Sequence, residues 1–373
     1  MPDKKNVVVV GAGFAGTGIA SSLSAKLDSN KYNLILINSR SYALSLPASA
    51  RLVVSAQSKL EETSFVKLDR LYKNGNGETK VGIVKSIQTK GDAKGGEVVL
   101  ESGEHIPYEI LVLATGATFR GPLDIPEHEQ DVMPHVNAWR AKFANAKHVV
   151  LAGGGAVGIE LAGEIKDEHP DTKVTIVQGD RKLLNPTYTD SLRDGLNQRL
   201  QSRGIEILYQ EYIDDIPAEG SVGVTTRSGR NIETADLVIS TRGPKPNTAF
   251  IASLGQDTLN GQGYVKVKPT LQLLNHPHIF AAGDIIEWAE QKQAAKTRGH
   301  AAVVVENVLS VLGDKSATKE YKGSPEIIIV TNGRDGGMAY IPFFGGFTLG
   351  DWFARLVKSR TLMISFFRSA LGY

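Results

Sequence analysis

The residues in this sequence most able to do chemistry form two glycine turns with the spacing G-x-G-x-x-G. In such a turn the first glycine allows a tight bend, the second lets the backbone approach a pyrophosphate, and the third lets a helix pack on the preceding strand. The six glycines are Gly11, Gly13 and Gly16 in the first copy and Gly153, Gly155 and Gly158 in the second. Two copies indicate two bound dinucleotides, and two dinucleotides in one chain indicate electron transfer between them.

Each turn needs a strand before it and a helix after it, and the flanking sequence supplies both. Residues 6–10 are rich in valine and predict a buried parallel strand, and a helix is expected to begin near Phe14, with its free N–H groups facing the phosphates. A second apolar strand over 32–37 ends at Asn38, where the fingerprint usually has an acid that binds the ribose hydroxyls. Asn38 can accept a hydrogen bond but carries no charge. The predicted contacts of this first dinucleotide are Gly11, Ala12, Gly13, Phe14, Ala15, Gly16 and Asn38.

The second copy repeats this arrangement at nearly the same spacing, so the two halves look like a structural repeat. Its second strand, over 173–177, ends at Gln178. An acid at this point would favour NAD by binding the 2′-hydroxyl and repelling a 2′-phosphate, whereas Gln178 does not repel. Arg181 and Lys182 could pair with a phosphate, although Asp180 opposes this. The sequence therefore leaves the coenzyme open between NADH and NADPH.

Other segments have weaker patterns. Strands of a β-meander are predicted over 80–87 and 97–100, joined by a polar, glycine-rich loop over 89–96. A helix is predicted over 189–203, and an apolar strand over 237–240.

Composition excludes several classes of function. The chain has 373 residues, a net charge of +2 and no cysteine. The absence of cysteine excludes a disulfide framework, a thiolate metal site and a redox-active dithiol, and we expect no bound metal. A nearly neutral chain argues against nucleic-acid binding. The uncharged stretch near the N-terminus is diluted by glycine, serine and threonine, so we expect neither a signal peptide nor a membrane span, and Pro2 excludes N-myristoylation.

The C-terminal segment over 348–371 is amphipathic and basic, and its apolar residues follow helical spacing. Two interpretations stay open, and they are compatible. The segment packs on the first domain as part of its core, or it lies in a membrane interface. The residues predicted to face a substrate or a membrane are Trp352, Phe353, Lys358, Phe366 and Phe367.

The order of motifs along the chain resembles that of the two-dinucleotide flavoprotein reductases over residues 7–312. After the first glycine turn come A-T-G at 114–116, the second glycine turn, G-x-x-P-N at 243–247, and A-G-D ending at Asp284. The segments G-R-D-G-G at 333–337 and L-V-K-S-R at 356–360 are similar to the C-terminus of the ferroptosis suppressor and apoptosis-inducing factor family. This resemblance implies an FAD enzyme that oxidises NADH or NADPH and reduces a ubiquinone-like quinone at a membrane.

The resemblance also assigns roles to single residues. The counterpart of Glu160 reaches the junction of nicotinamide and flavin, although stabilisation by the helix dipole, worth ~0.3–1 kcal/mol, would also explain an acid there. Arg51 is either a solvated charge or a contact to a cofactor phosphate or flavin face, and His300 is expected to be a satisfied core histidine. The further predicted contacts are Arg51, Val84, Thr115, Gly116 and Asp284 for FAD and Gly153, Gly155, Gly158, Gln178 and Gly243 for NAD(P)H.

The predicted fold is α/β, with two Rossmann-like dinucleotide-binding domains, for FAD and NAD(P)H, and a small C-terminal α+β region. The FAD domain is expected over 1–122 and 249–315, the NAD(P)H domain over 123–248, and the C-terminal region with its amphipathic helix over 316–373. Two alternatives stay open: a reductase of a small iron–sulfur or haem electron carrier, and a redox-signalling flavoprotein like apoptosis-inducing factor. The protein is expected inside the cell, on the cytoplasmic side of a membrane or at a mitochondrion, and the residues indicate no oligomeric state.

Overall fold

The computed structural model describes residues 4–90 and 94–373, so Pro2 and the centre of the predicted loop over 89–96 lie outside the described residues. The chain forms two parallel sheets with flanking helices, and a small antiparallel sheet precedes its C-terminal helices. This architecture confirms the α/β class and the two Rossmann-like domains that the repeated glycine turns predict. The residue limits of the domains stay a proposal.

The first sheet is built around the valine-rich strand. The elements of this part are β1 (Lys5–Val10), α1 (Phe14–Lys26), β2 (Tyr32–Asn38), β3 (Tyr42–Leu44), α2 (Ser49–Val54), α3 (Glu61–Ser64), β4 (Phe65–Lys67), β5 (Glu78–Val81), β6 (Val84–Thr89), β7 (Gly96–Leu100), β8 (His105–Tyr108), β9 (Ile110–Leu113) and β10 (Ala117–Thr118). Strand β1 lies between β2 and β9 in a parallel sheet, and Val7, Val8 and Val9 are fully buried in a core that they share with residues of α1 and of the strands β6, β7 and β8.

The single strand predicted over 80–87 is wrong, because the chain changes sheets there. β5 pairs in parallel with β2, whereas β6 belongs to an antiparallel meander with β7 and β8. Gly82 lies at the change, where a Cβ atom would be 2.7 Å from Leu100 Cδ1. The close approach to β7 bends the chain, and alternation of residue types does not mark such a bend.

The second sheet has the same parallel construction. Its part of the chain contains α4 (Glu129–Asn145), β11 (His148–Ala152), α5 (Ala156–Glu168), β12 (Lys173–Gln178), α6 (Asp190–Ser202), β13 (Glu206–Tyr209), β14 (Val224–Thr225), β15 (Asn231–Ile232), β16 (Leu237–Ser240) and β17 (Lys245–Pro246). The strand order is β13–β12–β11–β16. β10 and β17 pair antiparallel, so the chain enters and leaves this sheet side by side.

The chain then returns to the first sheet and ends in the C-terminal region. The remaining elements are β18 (Ile279–Ala281), α7 (Thr297–Leu312), β19 (Ile328–Thr331), β20 (Gly337–Ile341), β21 (Phe347–Leu349), α8 (Asp351–Ala354) and α9 (Ile364–Ala370). β18 pairs in parallel with β9 and completes the first sheet. β19, β20 and β21 form an antiparallel sheet.

The tail is not one continuous amphipathic helix. α8 continues into a π-helical turn over Arg355–Ser359, and the chain then breaks before α9. Leu362 and Met363 adopt positive φ angles of 51° and 56° at this break. Across residues 4–90 and 94–373, every helix is too short or too polar to span a bilayer.

Helix α2 connects the two dinucleotide-binding parts. It packs against α4 and α5, and its Leu52 and Val53 share a buried cluster with Ile159 and Leu161 of α5. Although α2 precedes the second glycine turn in sequence, it contributes to the core beneath that turn.

Candidate dinucleotide sites and their junction

The first glycine turn has the shape that a pyrophosphate requires. Gly11 has a φ of +101°, and a Cβ atom there would lie 2.4 Å from the Ala114 carbonyl oxygen. A Cβ atom on Gly16 would lie 1.8 Å from the Gly11 carbonyl oxygen, so only glycine lets α1 pack this closely. Gly13, in contrast, has no atom within 4 Å of its Cβ position. Its open side leaves the backbone accessible to a phosphate group.

The second turn has nearly the same geometry. Gly153 has a φ of +140°, and a Cβ atom on Gly158 would lie 2.1 Å from the Gly153 carbonyl oxygen. Gly155 is open within 4 Å, like Gly13. Thr241 Oγ1 donates a hydrogen bond of 2.7 Å to the Gly153 carbonyl and fixes the turn against the end of β16. The residues of both turns therefore fit a dinucleotide pyrophosphate.

Asn38 and Gln178 have equivalent positions and make equivalent contacts. Asn38 Oδ1 accepts from Ala12 N–H at 3.0 Å, and Gln178 Oε1 accepts from Gly154 N–H at 3.0 Å. Their amide nitrogens donate to carbonyls of the loops that follow: Asn38 Nδ2 to Arg40 and Tyr42, and Gln178 Nε2 to Lys182 and Leu184. Both side chains hold their glycine turns in place. The sequence predicted a ribose contact at these positions and did not predict this structural role.

A cavity of about 760 Å³ opens at the carboxyl end of the first sheet. The predicted residues that line it are Gly11, Ala12, Gly13, Asn38, Val84, Thr115 and Gly116. Sequence reasoning missed Arg40, Tyr42, Leu44 and Phe119, which also line it. The position of the first three could have indicated this role, because they follow β2 at the edge of a parallel sheet where ligands bind.

The A-T-G and G-x-x-P-N motifs meet where the chain crosses between the sheets. Thr115 Oγ1 donates to the Asn247 carbonyl at 2.6 Å, and Asn247 N–H donates to the Gly116 carbonyl at 2.9 Å. Gly243 lies in the same crossing segment and is exposed. The predicted cofactor residues Thr115 and Gly116 therefore also join the two crossing strands.

Asp284 lies beside the start of α1 and outside the residues that line the cavity. A Cβ atom on the preceding Gly283 would be 3.2 Å from Ala15 Cβ. Burial raises the pKa of Asp284, and the positive charge of Lys292 opposes this rise. Hydroxyl groups that donate to the Asp284 carboxylate would also oppose this rise, and the predicted FAD contact would supply them from the ribityl chain.

His300 supports this turn from behind. Its Nδ1 accepts from Gly283 N–H at 3.1 Å, and its Nε2 lies 3.0 Å from Glu290 Oε1. Because Nδ1 is an acceptor, the proton of the neutral imidazole lies on Nε2, which donates to the carboxylate. The Tyr321 ring packs edge-on against it with centroids 4.4 Å apart. His300 is thus a satisfied core histidine, as expected.

Arg51 is not directed toward the cavity, which corrects its expected cofactor contact. Its Nε and Nη2 donate to Glu164 at 2.7 and 2.9 Å, and both side chains are almost fully buried. Nη2 also donates to the Ser359 carbonyl, and Nη1 to the Arg360 carbonyl. The guanidinium therefore joins α2, α5 and the tail. Sequence reasoning missed Glu164, although an acid within an apolar helical run signals a buried partner.

Glu160 pairs with the tail at the start of α5. Lys358 Nζ lies 2.6 Å from Glu160 Oε1, and the side chains are 15% and 16% exposed. Lys358 also donates to the Ile329 carbonyl, and Thr331 N–H donates to the same Oε1. Lys358 was predicted on a substrate or membrane face, and the structure places it inside, next to the second glycine turn.

The large apolar residues of the tail divide into an exposed and an inward set. Trp352, Leu356 and Phe366 are 61%, 72% and 59% exposed. Phe353 is half-buried, and Phe367 is buried with its ring 4.8 Å from the Phe14 ring at the start of α1. Phe367 therefore belongs to the core beneath the first turn, which corrects its expected place on a substrate or membrane face.

Comparisons with known proteins agree with this geometry. A profile of the family "Pyridine nucleotide-disulphide oxidoreductase" matches residues 5–299. The FAD-dependent oxidoreductase FVFD30 of Flammulina velutipes is 43% identical over 324 residues, covering 86% of this chain and 99% of that protein. Ferroptosis suppressor protein 1 of Mus musculus is 29% identical over 369 residues, covering 96% of this chain and 94% of that protein. The solved sulfide:quinone oxidoreductase of Aquifex aeolicus superposes with a TM-score of 0.76 at 20% identity over 98% of this chain and 92% of that chain, which shows the shared fold.

Proposed function

This chain belongs to the pyridine nucleotide-disulphide oxidoreductase family, and we propose that it passes electrons from NAD(P)H through FAD to a quinone at a membrane surface. The chain is an FAD-dependent oxidoreductase that uses NAD(P)H, and it is related to the ferroptosis suppressor proteins.

The observation that carries the proposal is the two-sided segment over 351–359. Its outer side presents Trp352 and Leu356 to solvent, whereas Lys358 lies inside on Glu160. An apolar surface is thus joined through one helical segment to a charged pair beside the second glycine turn. A quinone needs both features, because its tail is apolar and its head takes up protons and accepts hydrogen bonds. A protein acceptor needs a docking surface but no apolar region for a tail.

The residues of the chain supply binding and orientation. FAD held by the first turn would supply the redox chemistry, which is the acceptance of hydride from NAD(P)H and the delivery of its electrons to the acceptor. The first turn would hold the FAD pyrophosphate, and the second would hold that of NAD(P)H. Glu160 and Lys358 present a carboxylate and an ammonium group at the start of α5. The carboxylate can accept a hydrogen bond from the nicotinamide amide, and the ammonium group can donate one to a quinone oxygen. Glu160 orients Lys358 through the 2.6 Å contact.

The exposed tail supports contact with a lipid interface. Trp352, Leu356 and Phe366 are exposed, and Arg355 adds exposed positive charge. Aromatic and basic side chains together favour the headgroup region of a bilayer, particularly one with anionic lipids. We therefore assign the tail a peripheral membrane contact.

Rapid-mixing spectroscopy of the purified, flavin-loaded protein tests the proposed acceptor. NADH is mixed first, and the loss of the flavin absorbance bands is followed. A soluble ubiquinone analogue or a small iron–sulfur protein is then added to the reduced sample without oxygen. We expect the quinone to restore the bands at least about tenfold faster than the iron–sulfur protein. Faster recovery with the iron–sulfur protein would reject the quinone and favour a reductase of small electron carriers.

A further inference from the structure

The loop that follows β12 is held rigidly on the second glycine turn. Gln178 Nε2 donates to the Lys182 and Leu184 carbonyls at 2.8 and 3.2 Å, and Leu184 N–H donates to the Gly154 carbonyl at 2.8 Å. Arg193, which is buried, donates to the Leu183 carbonyl at 2.7 Å. In a dinucleotide fold this loop borders the adenosine ribose. Its side chains therefore meet the 2′-position, where NADH and NADPH differ.

Most charges of this loop are already paired within the protein. Asp180 accepts from the backbone N–H of Arg181 at 2.7 Å and from Arg193 at 2.7 Å, and these contacts lower its pKa. Lys182 lies 2.8 Å from Asp194 and 3.1 Å from Asp190. The negative charge of Asp180 is thus offset by Arg193, and Lys182 is matched by two carboxylates. Neither residue is a strong determinant for an incoming phosphate.

Arg181 differs from its neighbours. Its side chain is exposed, and its guanidinium makes no hydrogen bond or salt bridge within the described residues. Because the loop on either side is braced, the backbone that bears this guanidinium is ordered before the ligand arrives. Gln178 supplies no negative charge, and its amide oxygen is occupied by Gly154 N–H. The site therefore lacks the carboxylate that normally binds a 2′-hydroxyl and repels a 2′-phosphate.

A second arginine borders the same turn from the other side. Arg242 follows β16, is exposed, and makes one long contact of 3.5 Å to the Asp214 carbonyl. Its backbone nitrogen lies 3.1 Å from the Cβ position of Gly153. The turn is therefore flanked by two arginines, of which Arg181 belongs to the loop that follows the second strand, the usual place for a 2′-phosphate contact.

We propose that Arg181 is the residue that determines coenzyme specificity, that it binds the 2′-phosphate of the coenzyme, and that the protein binds NADPH more tightly than NADH. The ligand class is a 2′-phosphorylated adenosine nucleotide. The inference depends on the family membership and not on the identity of the electron acceptor. A planar guanidinium can engage phosphate oxygens through two parallel N–H donors, which makes such a contact selective as well as strong.

Calorimetric titration of the flavin-loaded protein with two small probes tests the proposal without turnover. Adenosine 2′,5′-bisphosphate contains the distinguishing phosphate, and adenosine 5′-monophosphate lacks it. We expect the wild-type protein to bind the bisphosphate about tenfold or more tightly than the monophosphate. We expect Arg181→Gln to remove this difference and to leave monophosphate binding unchanged.

Two matched variants separate the proposal from a general effect of positive charge. Lys182→Gln removes the neighbouring, paired cation, and Arg242→Gln removes the arginine on the other side. We expect both to retain most of the preference for the bisphosphate. Equal binding of the two probes by the wild-type protein would overturn the proposal. A loss of the preference in Lys182→Gln or Arg242→Gln as large as that in Arg181→Gln would overturn the assignment to Arg181.

Discussion

Lys358 Nζ contacts Glu160 Oε1 at 2.6 Å across 198 positions of sequence. The contact joins the tail to the helix that follows the second glycine turn. Glu160 is the acid proposed for the junction of nicotinamide and flavin, so the proposal also includes Lys358 of the tail in the electron-donor site. Neither residue could be assigned this contact from its own local pattern.

Loss of either charge of this pair should slow flavin reduction. We expect Glu160→Gln and Lys358→Met each to reduce the rate of NADH-driven flavin bleaching about tenfold, equal to ~1.4 kcal/mol of barrier. Because the residues act as a pair, the double variant should lose little more than either single variant. Arg355→Gln, which removes an exposed cation of the same segment, serves as the control. A bleaching rate unchanged in Glu160→Gln would remove its proposed role.

The buried pair of Arg51 and Glu164 should contribute strongly to stability. Burial raises the pKa of Glu164, and Arg51 opposes the rise. Arg51→Met leaves this carboxylate buried without its partner, at a cost of about 3–5 kcal/mol. Urea unfolding would measure the loss, and Arg51→Met combined with Glu164→Leu should recover much of it. An Arg51→Met variant as stable as Lys80→Gln, which breaks the exposed pair of Lys80 and Glu104, would contradict this expectation.

Replacement of Gly16 should prevent folding, whereas replacement of Gly13 should prevent FAD binding. Gly16→Ala places a methyl group where a Cβ is 1.8 Å from the Gly11 carbonyl oxygen, so we expect loss of the folded domain. Gly13→Ala meets no atom within 4 Å, so the protein should fold but exclude the pyrophosphate. Circular dichroism and flavin content distinguish the two, with FAD affinity lower by at least about tenfold in Gly13→Ala. Full flavin retention in Gly13→Ala would be inconsistent with phosphate binding at this turn.

Membrane contact should depend on the exposed residues of the tail. We expect the triple variant Trp352→Ser, Leu356→Ser and Phe366→Ser to lose most flotation with liposomes of phosphatidylcholine and phosphatidylserine, while its flavin spectrum stays normal. Tyr212→Ser, which removes an exposed aromatic residue elsewhere, is the control. Truncation of the tail is less informative, because it also removes the buried Phe367. Equal flotation of the triple variant and wild type would exclude the tail as the contact.

Acid should destabilise the protein partly through His148. Its two ring nitrogens lie 2.7 and 2.9 Å from the hydroxyls of Thr234 and Thr175. Burial lowers the pKa of His148 below its ordinary value of 6.5, with a further decrease from Lys173. As the pH falls below that value, the unfolded chain takes up a proton that the folded chain does not, so the free energy of unfolding decreases. The thermal midpoint of His148→Asn should fall less than that of wild type between about pH 7.5 and about pH 5.5. Parallel curves for the two proteins would refute this.

The parts of the site that follow from local rules were predictable from sequence. The glycine turns need positive φ angles and close backbone approaches, so their spacing alone located both of them. Asn38 and Gln178 were placed correctly at the ends of their strands, but their bracing role depends on the loops that curl back over them. Sequence spacing does not encode such return contacts.

The tail and Arg51 show the same limit at longer range. The helical spacing of the tail predicted that Phe366 and Phe367 lie on one face. The chain instead breaks at Leu362 and Met363, so that Phe367 is buried and Phe366 is exposed. The burial of Arg51 results from packing of α2 on α5 and from two carbonyls more than three hundred positions away. An arginine after a strand has the same local sequence signal whether it binds a ligand or an internal carboxylate.

The side-by-side pairing of β10 and β17 has a consequence for how the chain is assembled. β18 must join β9, although residues 114–278 separate them, and closing so long a disordered loop costs conformational entropy. Once the inserted domain has folded, its two ends are already adjacent, and most of that cost disappears. The inserted domain should therefore fold first, and β18 should be added late. Until residue 279 leaves the ribosome, β9 is a bare sheet edge, and that is the stage at which the nascent chain most needs protection from aggregation.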